Sequence, residues 1–350
     1  MDAVEKLIER HHARKGAAAQ ICVIRHDEVV LERCWGCEPD ALFLIYSSSK
    51  PFVALLVHLL AERGALDLDD PIAAHWPEFA RNGKAAVTIR HALQHRAGIP
   101  VPGGLLGTLL HGTVWDKAIA DIENARPKWP PGAVPAYHFL SFGFILGELV
   151  QRVTRRPLKE VLGHELLQPL GLTDIHLGLP DEALPRAVPV RAIHMSEIAN
   201  QWVANRRRVR QSIMPAATIS AGARQLARFY QMLLRGGELD GVRVLQPETI
   251  LEARRPSSDG EIDAFIKRPV RWAQGFALGG PSADPRDLSR FMGGSSSLLA
   301  FGHAGNASCM TWADPTRGLA LAYLSNLQPG IDGGLEIVGK VADAVLGAFG

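Results

Sequence analysis

The pattern of apolar and polar positions changes along this chain and divides it into regions. Residues 2–14 have apolar side chains at helical spacing and predict an amphipathic helix. The segments 20–24 and 29–35 predict the two strands of a hairpin, joined across 25–28. Further strands are predicted near the C-terminus, before a last helix over 336–348, at 275–278, 298–303, 308–313 and 318–325.

The middle of the chain has a different character, because residues 66–270 are mostly helices and loops and are rich in Pro and Gly. Strands at both ends with helices between them predict an α+β fold. We expect one antiparallel sheet that is built from both termini and flanked by helices, with an inserted, mostly helical region. The expected units are residues 1–65 with 271–350, and residues 66–270.

One short motif carries candidate chemistry. Ser47 is followed three residues later by Lys50, between an apolar run at 41–46 and an apolar helix that runs from Phe52 to about Gly64. Residues three apart lie on the same helical face, so a nucleophilic hydroxyl would lie beside an amine. The alternative is a serine that caps a helix whose lysine is on the surface.

Composition excludes several classes of protein. The chain has 350 residues, 47% of them hydrophobic, and a net charge of +2, so no strong electrostatic field indicates a nucleic-acid or membrane partner. The basic cluster Arg206, Arg207, Arg208 and Arg210 is interpreted as a solvated loop or as partners for nearby carboxylates. The charged start of the chain does not resemble a secretory signal, and we expect a cytoplasmic protein.

Two pairs of residues have spacings that metal or redox sites use. Cys34 and Cys37 form a C-x-x-C, which is typical of a redox pair or of half a zinc site, but the chain has no second such pair. His91 and His95 are four residues apart, yet no Glu follows His91 as it would in an H-E-x-x-H site. We interpret both pairs as structural, and we expect no metal and no organic cofactor.

Further sequence blocks accompany the Ser47–Lys50 motif, in a fixed order. Together they resemble the class C β-lactamase/D-alanyl-D-alanine carboxypeptidase-like serine hydrolases, and especially their esterase branch. The blocks are 64–71 (GALDLDDP), 87–100 (VTIRHALQHRAGIP), 131–137 (PGAVPAY), 143–148 (GFILGE), 168–174 (QPLGLTD), 301–305 (FGHAG) and 312–315 (WADP).

The resemblance implies a role for each matching residue. Ser47 attacks the acyl carbon, and Lys50 lowers the pKa of Ser47 or takes its proton. Tyr137 is the partner base, whose phenolate Lys50 stabilises, and then the acid for the leaving group. The backbone N–H groups of Ser47 and Asn306 would form the oxyanion hole. The resemblance also implies that the strand that carries His303 and Gly305 binds the substrate. The alternatives are a core tyrosine at Tyr137 and a strand-end histidine packed beside the site.

Three departures from the β-lactamase pattern bear on the substrate. Tyr-x-Asn becomes Tyr137-His138-Phe139, and Lys-Thr-Gly becomes His303-Ala304-Gly305, while Asn306-Ala307 stand where the esterase branch has more glycine. A histidine of ordinary pKa is mostly neutral at about pH 7 and becomes cationic below about pH 6.5. The first two departures therefore favour an uncharged ester over a substrate that carries a carboxylate.

The sequence thus predicts a serine hydrolase that cleaves carboxylic esters of short to medium acyl chains through an acyl-enzyme on Ser47. Alternatives are a β-lactamase or D-amino-acid peptidase that uses the same site, and a non-catalytic scaffold or binding protein of the same fold. The expected partner is a small-molecule ester, and the oligomeric state stays open. The glycine-rich loop 103–110 is either a wall or lid of the acyl pocket or a loop packed on the core.

Overall fold

The structure, a computed structural model, describes residues 2–104, 111–282, 284 and 286–350. Its α-helices are α1 (Asp2–His12), α2 (Lys50–Glu62), α3 (Ile72–His75), α4 (Ile89–Leu93), α5 (Trp115–Asn124), α6 (Ser141–Thr154), α7 (Leu158–Leu162), α8 (Ile198–Ala204), α9 (Arg207–Gln211), α10 (Ala223–Leu234), α11 (Pro247–Ala253) and α12 (Ile331–Phe349). Its short 3₁₀ helices are Tyr46–Ser49, Pro77–Gly83, Asp181–Arg186, Met195–Glu197 and Leu288–Met292, and Gly163–Leu167 forms a π-helical turn.

The β-strands are short except in the main sheet. They are β1 (Ala19–Arg25), β2 (Glu28–Trp35), β3 (Phe43–Leu44), β4 (Ile175–Leu177), β5 (Arg191–Ala192), β6 (Ile219–Ala221), β7 (Glu238–Leu239), β8 (Val242–Arg243), β9 (Ala277–Leu278), β10 (Phe301–Gly305), β11 (Cys309–Asp314), β12 (Leu319–Ser325) and β13 (Leu327–Gln328).

The main sheet joins the two ends of the chain. Its six strands have the order β2-β1-β12-β11-β10-β9, and every neighbouring pair is antiparallel. Strand β1 pairs with β12, with Ile21 opposite Tyr323, so the N-terminal hairpin is continued by the C-terminal strands. The prediction of an α+β fold with an antiparallel sheet from both termini is therefore confirmed.

Both faces of this sheet are covered by helices. Along β12 the larger side chains Leu319, Leu321 and Tyr323 pack with α1 and α12, and the alternating Ala320, Ala322 and Leu324 pack with α10. Successive strand residues point to opposite faces, so one strand serves two apolar layers. All seven residues of β12 are buried, as expected for a strand in the middle of a three-layer arrangement.

Two elements near the C-terminus begin three or more residues away from their predicted starts. Strand β10 begins at Phe301 and not at residue 298, because Leu298 and Leu299 lie exposed in the preceding turn. The last helix begins at Ile331, directly after Gly330, and not at residue 336. In both places the turn residues locate the end of the element better than the run of apolar residues does.

The middle region brings the candidate site to the sheet. Helix α2 is buried from Lys50 to Leu60 and packs against α6. The predicted helical region 66–270 also contains the short strands β4 to β8. One of them, β6, pairs with β3 just before the motif serine, with Phe43 opposite Ala221. The division into the two expected units stays a prediction.

No helix among the described residues is both long and apolar enough to cross a bilayer.

Candidate active site

The three consecutive serines of the motif lie in different environments. They form a 3₁₀ turn, Tyr46–Ser49, that leads into α2, and Ser47 is the one among them that lines a pocket. Ser48 Oγ donates to the carbonyl of His303 at 3.0 Å, and Ser49 Oγ accepts from the N–H of Ile219 at 3.2 Å. Ser48 and Ser49 therefore tie the turn to its neighbours, and Ser47 alone is available to a substrate.

The structure brings Ser47, Lys50 and Tyr137 together, as the sequence predicts. The hydroxyl of Tyr137 donates to Ser47 Oγ at 2.7 Å, and Lys50 Nζ lies 3.2 Å from the same oxygen. Lys50 Nζ also lies 3.4 Å from the carbonyl oxygen of Ala216 and 4.5 Å from the centre of the Tyr137 ring. One nucleophilic oxygen thus has two proton-transfer groups within hydrogen-bonding distance.

Burial sets the protonation states of these two groups. The pKa of Lys50 lies well below its ordinary value because the amine is completely desolvated. Burial raises the pKa of Tyr137 above its ordinary value, against the hydrogen bond to Ser47, and the nearby carboxylate of Asp263 raises it further. A neutral amine and a neutral phenol are therefore favoured over an ammonium–phenolate pair before substrate binds.

Two residues that sequence reasoning missed hold Tyr137. Its backbone N–H donates to Asp263 Oδ1 at 3.0 Å, and its ring stacks on Trp272 with centroids 5.5 Å apart. Asp263 is fully buried and also accepts from the indole N–H of Trp272 at 3.1 Å. The same carboxylate accepts from the N–H groups of Phe265 and Ile266, each at 2.9 Å. One carboxylate thus organises the tyrosine, its stacking partner and a loop.

His303 lies on β10 beside the serine, as predicted, but its chemistry differs from the expectation. Its Nδ1 is 2.8 Å from the carbonyl of Ala304, which assigns the proton to Nδ1. Burial, with a smaller contribution from Lys50, lowers the pKa of His303 to about 3. The expectation that His303 becomes cationic below about pH 6.5 is therefore wrong, because that value holds for a solvated imidazole.

Gly305 acts through the absence of a side chain. A Cβ at this position would lie 2.0 Å from the carbonyl oxygen of Ile45 and 3.2 Å from Ser48 Oγ. Only glycine lets β10 approach the turn that carries Ser47 this closely. Gly305 is not among the described residues that line the pocket. Its place in the structure is consistent with positioning the strand that borders the site.

The turn after β10 is strained, and its side chain is held in place. Asn306 and Ala307 have φ of 44° and 53°, and the N–H of Ser308 donates to Gly305 O at 3.0 Å. The strand register pairs Gly305 with Cys309 across the three residues 306–308, and the positive φ of Asn306 and Ala307 is a conformation that glycine adopts without strain. The amide of Asn306 donates to Gln328 Oε1 at 2.5 Å and contacts Glu197 Oε2 at 3.3 Å.

A second strained residue precedes the serine and meets the same segment. Tyr46 has φ of 48°, and its hydroxyl accepts from Asn200 Nδ2 at 3.4 Å. Asn200 also contacts Glu197 at 3.1 Å. Asn200 therefore binds Tyr46, the residue before the predicted donor Ser47. Glu197 binds the side chain of Asn306, whose backbone N–H is the other predicted donor. Sequence analysis had not singled out either one.

The pocket beside Ser47 is mainly apolar and has a volume of about 470 Å³. Phe139 lines it at the position where the β-lactamase pattern has an amide. Arg268 is the one charged side chain among its described lining residues, and it pairs with Asp332 on α12. The lining comprises Tyr46, Ser47, Tyr137, Phe139, Asn200, Ala217, Phe265, Ile266, Arg268, Trp272, Ala277, Leu288, Phe291, His303, Ala304, Asn306, Ala307, Ile331 and Leu335.

Of the remaining candidates, the described ones make no hydrogen bond to Ser47, and the others lie outside the described residues. His91 Nδ1 accepts from the N–H of Thr88 at 3.2 Å and caps α4, whereas His95 packs 4.9 Å from the ring of Tyr137. Cys34 and Cys37 are free, partly buried thiols. In the described ranges no group of three or more metal-binding side chains could hold an ion. Residues 105–110 of the predicted pocket loop lie outside the described residues.

Comparison with known proteins agrees with this arrangement. A family model described as beta-lactamase matches residues 4–345. The chain belongs to the β-lactamase family. It is 28% identical over 315 residues to the esterase/beta-lactamase LipL of Mycobacterium tuberculosis, covering 82% of this chain and 70% of that protein.

Solved structures show the same fold over nearly the whole chain. A penicillin-binding protein homologue from Caulobacter crescentus matches with a TM-score of 0.86 at 28% identity, covering 99% of this chain and 97% of that one. A family VIII carboxylesterase matches with a TM-score of 0.84, also at 28% identity, covering 97% and 95%. The family resemblance and the fold predicted from the sequence are confirmed, and the chain is a serine hydrolase.

Proposed function

We propose that this protein hydrolyses uncharged carboxylic esters of short to medium acyl chains through an acyl-enzyme on Ser47. The observation that carries the proposal is the position of Ser47 Oγ. It lies within hydrogen-bonding distance of both Lys50 Nζ and the Tyr137 hydroxyl, at the wall of a mainly apolar pocket. Relatives whose names include esterase and carboxylesterase support the same substrate class.

The protonation states favour a specific sequence of proton transfers. Ser47 gives its proton to the neutral amine of Lys50 as Oγ bonds to the acyl carbon, and Tyr137 protonates the leaving alcohol oxygen. The resulting phenolate then takes a proton from the attacking water. As the tetrahedral adduct collapses, Lys50 returns its proton to Ser47 Oγ. Lys50 is thus an ammonium from the first proton transfer until the second adduct collapses. Tyr137 is a phenolate only in the acyl-enzyme, where the two charges stabilise each other.

The oxyanion hole is proposed to comprise the backbone N–H groups of Ser47 and Asn306. The donor of Ser47 directly follows the strained residue Tyr46, and the donor of Asn306 belongs to a strained residue, since both Tyr46 and Asn306 have positive φ. Strain of this kind is stored where surrounding contacts over-determine the backbone, and here Asn200, Glu197 and Gln328 supply such contacts. Donors that are held in advance cost no reorganisation when the oxyanion forms.

The proposed substrate class rests on the lining of the pocket. Phe139 offers an apolar face and His303 stays neutral, so neither group favours a substrate carboxylate. A volume of about 470 Å³ is adequate for a short to medium acyl chain. Arg268 favours the alternative of a β-lactamase or D-amino-acid peptidase, because its guanidinium could pair with a carboxylate in the same pocket.

Fluorophosphonate labelling with mass mapping tests the nucleophile, and Ser48→Ala is the matched control for Ser47→Ala. Labelling at Ser47, lost only in Ser47→Ala, is the expected result. A label on Ser48 would contradict the assignment. A panel of p-nitrophenyl esters and a chromogenic cephalosporin then separates esterase from β-lactamase.

The cytoplasmic location expected from the sequence stays a prediction, which cell fractionation can test.

A further inference from the structure

A stripe of large apolar side chains lies exposed beside the pocket. It comprises Met195, Ile198, Trp202 and Val203, which are 85%, 57%, 63% and 45% exposed. Met195 stands in a 3₁₀ turn that runs into α8, and Ile198 and Trp202 follow it by three and seven residues. Residues at this spacing share one helical face. We call these four residues the apolar stripe.

Other residues of the same segment face the active site. Asn200 lines the pocket and contacts the hydroxyl of Tyr46, and Glu197 contacts the amide of Asn306. The start of the segment also lies against Gly330, where a Cβ would be 3.6 Å from His194 Nδ1. The next residue, Ile331, lines the pocket and is itself 55% exposed. Asn200 is two residues from both Ile198 and Trp202, so it lies on the other side of the helix, and the segment stands between the apolar stripe and the active site.

Exposed cations follow the apolar stripe directly. Arg206 stacks on the ring of Trp202 at 3.7 Å, and Arg207 and Arg208 are also exposed. Arg207 pairs with Asp181, whereas Arg206 and Arg208 have no ion pair within the described residues. Tryptophan and arginine beside exposed aliphatic side chains are typical of segments that lie in the headgroup region of a membrane.

We propose that the apolar stripe and Arg206–Arg208 dock this protein on an anionic phospholipid surface, which brings the segment that borders the pocket to the lipid. The stripe exposes on the order of 400 Å² of apolar side chain, within the roughly 300–600 Å² of the largest apolar patch on a typical monomer, a patch that is often functional. Arg206 and Arg208, which have no ion pair within the described residues, favour an anionic occupant; in a two-fold dimer through this face the same cations would come from both copies. A lipid surface needs no complementary shape.

Docking would deepen the proposed function by supplying esters from the lipid phase. Apolar esters partition into a bilayer, so a pocket held close to its surface meets them at high local concentration. This consequence rests on the proposed esterase function, but the docking itself does not. The expectation of no membrane partner rested on the small net charge of the whole chain. A local apolar and basic surface can bind a membrane without changing that net charge.

Co-sedimentation with vesicles tests the docking separately from catalysis. The full chain carrying Ser47→Ala is mixed with vesicles of phosphatidylcholine containing about 30% phosphatidylglycerol, or with phosphatidylcholine alone. We expect binding to the anionic vesicles, reduced about 10-fold or more in Ile198→Ser/Trp202→Ser and in Arg206→Gln/Arg208→Gln. Leu251→Ser, which removes a 63% exposed leucine from α11, is the matched control and should bind as strongly as its parent.

Activity provides a second measurement. With Ser47 intact, Ile198→Ser/Trp202→Ser should hydrolyse water-soluble p-nitrophenyl acetate at the parent rate and lose about 10-fold activity on an ester incorporated in the anionic vesicles. Equal binding of parent and stripe variants, or no binding to anionic vesicles, would overturn the docking proposal. A dimer in sedimentation velocity that is lost in Ile198→Ser/Trp202→Ser would do so as well, by making a second copy the occupant. Absence of all esterase activity with vesicle binding intact would refute the proposed function alone.

Discussion

The backbone N–H of Tyr137 donates a 3.0 Å hydrogen bond to the buried carboxylate of Asp263, 126 residues later in the chain. The same carboxylate binds the indole of Trp272, on which the Tyr137 ring stacks, and the loop N–H groups of Phe265 and Ile266, which line the pocket. Asp263 therefore couples the position of the proposed acid to one wall of the acyl pocket. Its negative charge also opposes ionisation of the phenol.

Replacing this carboxylate tests both effects. Asp263→Asn keeps one acceptor oxygen but turns an amide N–H toward the indole N–H of Trp272, so we expect kcat to fall by about 10-fold or more. Loss of the charge lowers the pKa of Tyr137, so the alkaline fall of kcat/KM should begin at lower pH than in the parent. The measurement is the pH–rate profile of parent and variant, followed upward from about pH 7 to the highest pH at which both stay folded.

A double variant separates the effect of the lost negative charge from the effect of the two opposed N–H donors. Asp263→Asn/Trp272→Phe removes the opposed donors while leaving the charge change in place. The double variant should recover part of kcat and keep the shifted alkaline limb. An unshifted limb in both variants would show that Asp263 acts on Tyr137 through packing alone.

The two proton-transfer groups should act as a unit. Lys50→Ala and Tyr137→Phe should each reduce kcat by on the order of 10²–10⁴, the usual span for acid–base groups. Because both act on the same Ser47 oxygen, the double variant should be little worse than the poorer single variant. Steady-state kinetics on p-nitrophenyl butyrate measure this. Additive losses, or a near-normal kcat for Tyr137→Phe, would remove the tyrosine from the mechanism.

We expect the buried amine of Lys50 to destabilise the folded protein. Its folded-state pKa lies well below that of a solvated lysine, so between those two values the unfolded chain binds the extra proton. Unfolding is therefore favoured as pH falls through this window, and the contribution of Lys50 to stability rises with pH. Lys50→Met should remove this slope and raise the free energy of unfolding by about 1–3 kcal/mol at neutral pH while abolishing activity.

Denaturant unfolding at several pH values checks the stability prediction. Lys159→Met is the matched control, because Lys159 is an exposed lysine on the short helix α7. A Lys50→Met variant that is less stable than the parent across the range would mean that the contacts of the amine with Ser47 and Ala216 outweigh its desolvation.

The sequence predicted the fold and the local part of the site for identifiable reasons. Ser47 and Lys50 are one helical turn apart, and sequence blocks in family order pointed to Tyr137. Asp263 and Glu197 were missed because their partners are 126 and 109 residues away and no local pattern marks them. The pKa of His303 could not be predicted either, since it depends on how deeply tertiary packing buries the ring.

The neutrality of His303 leads to a prediction about substrate class. A buried imidazole whose pKa is lowered to about 3 supplies no positive charge to a substrate carboxylate at any working pH. We expect kcat/KM for p-nitrophenyl butyrate to exceed that for a chromogenic cephalosporin by at least about 100-fold, equivalent to ~2.7 kcal/mol of transition-state discrimination. The ratio should be the same at about pH 5.5 and 7.5, since His303 does not titrate between them. His303→Lys should narrow the ratio by adding a cation, whereas the neutral control His303→Gln should not. Comparable rates on both substrates in the parent would instead favour the β-lactamase alternative, with Arg268 as the group that binds the carboxylate.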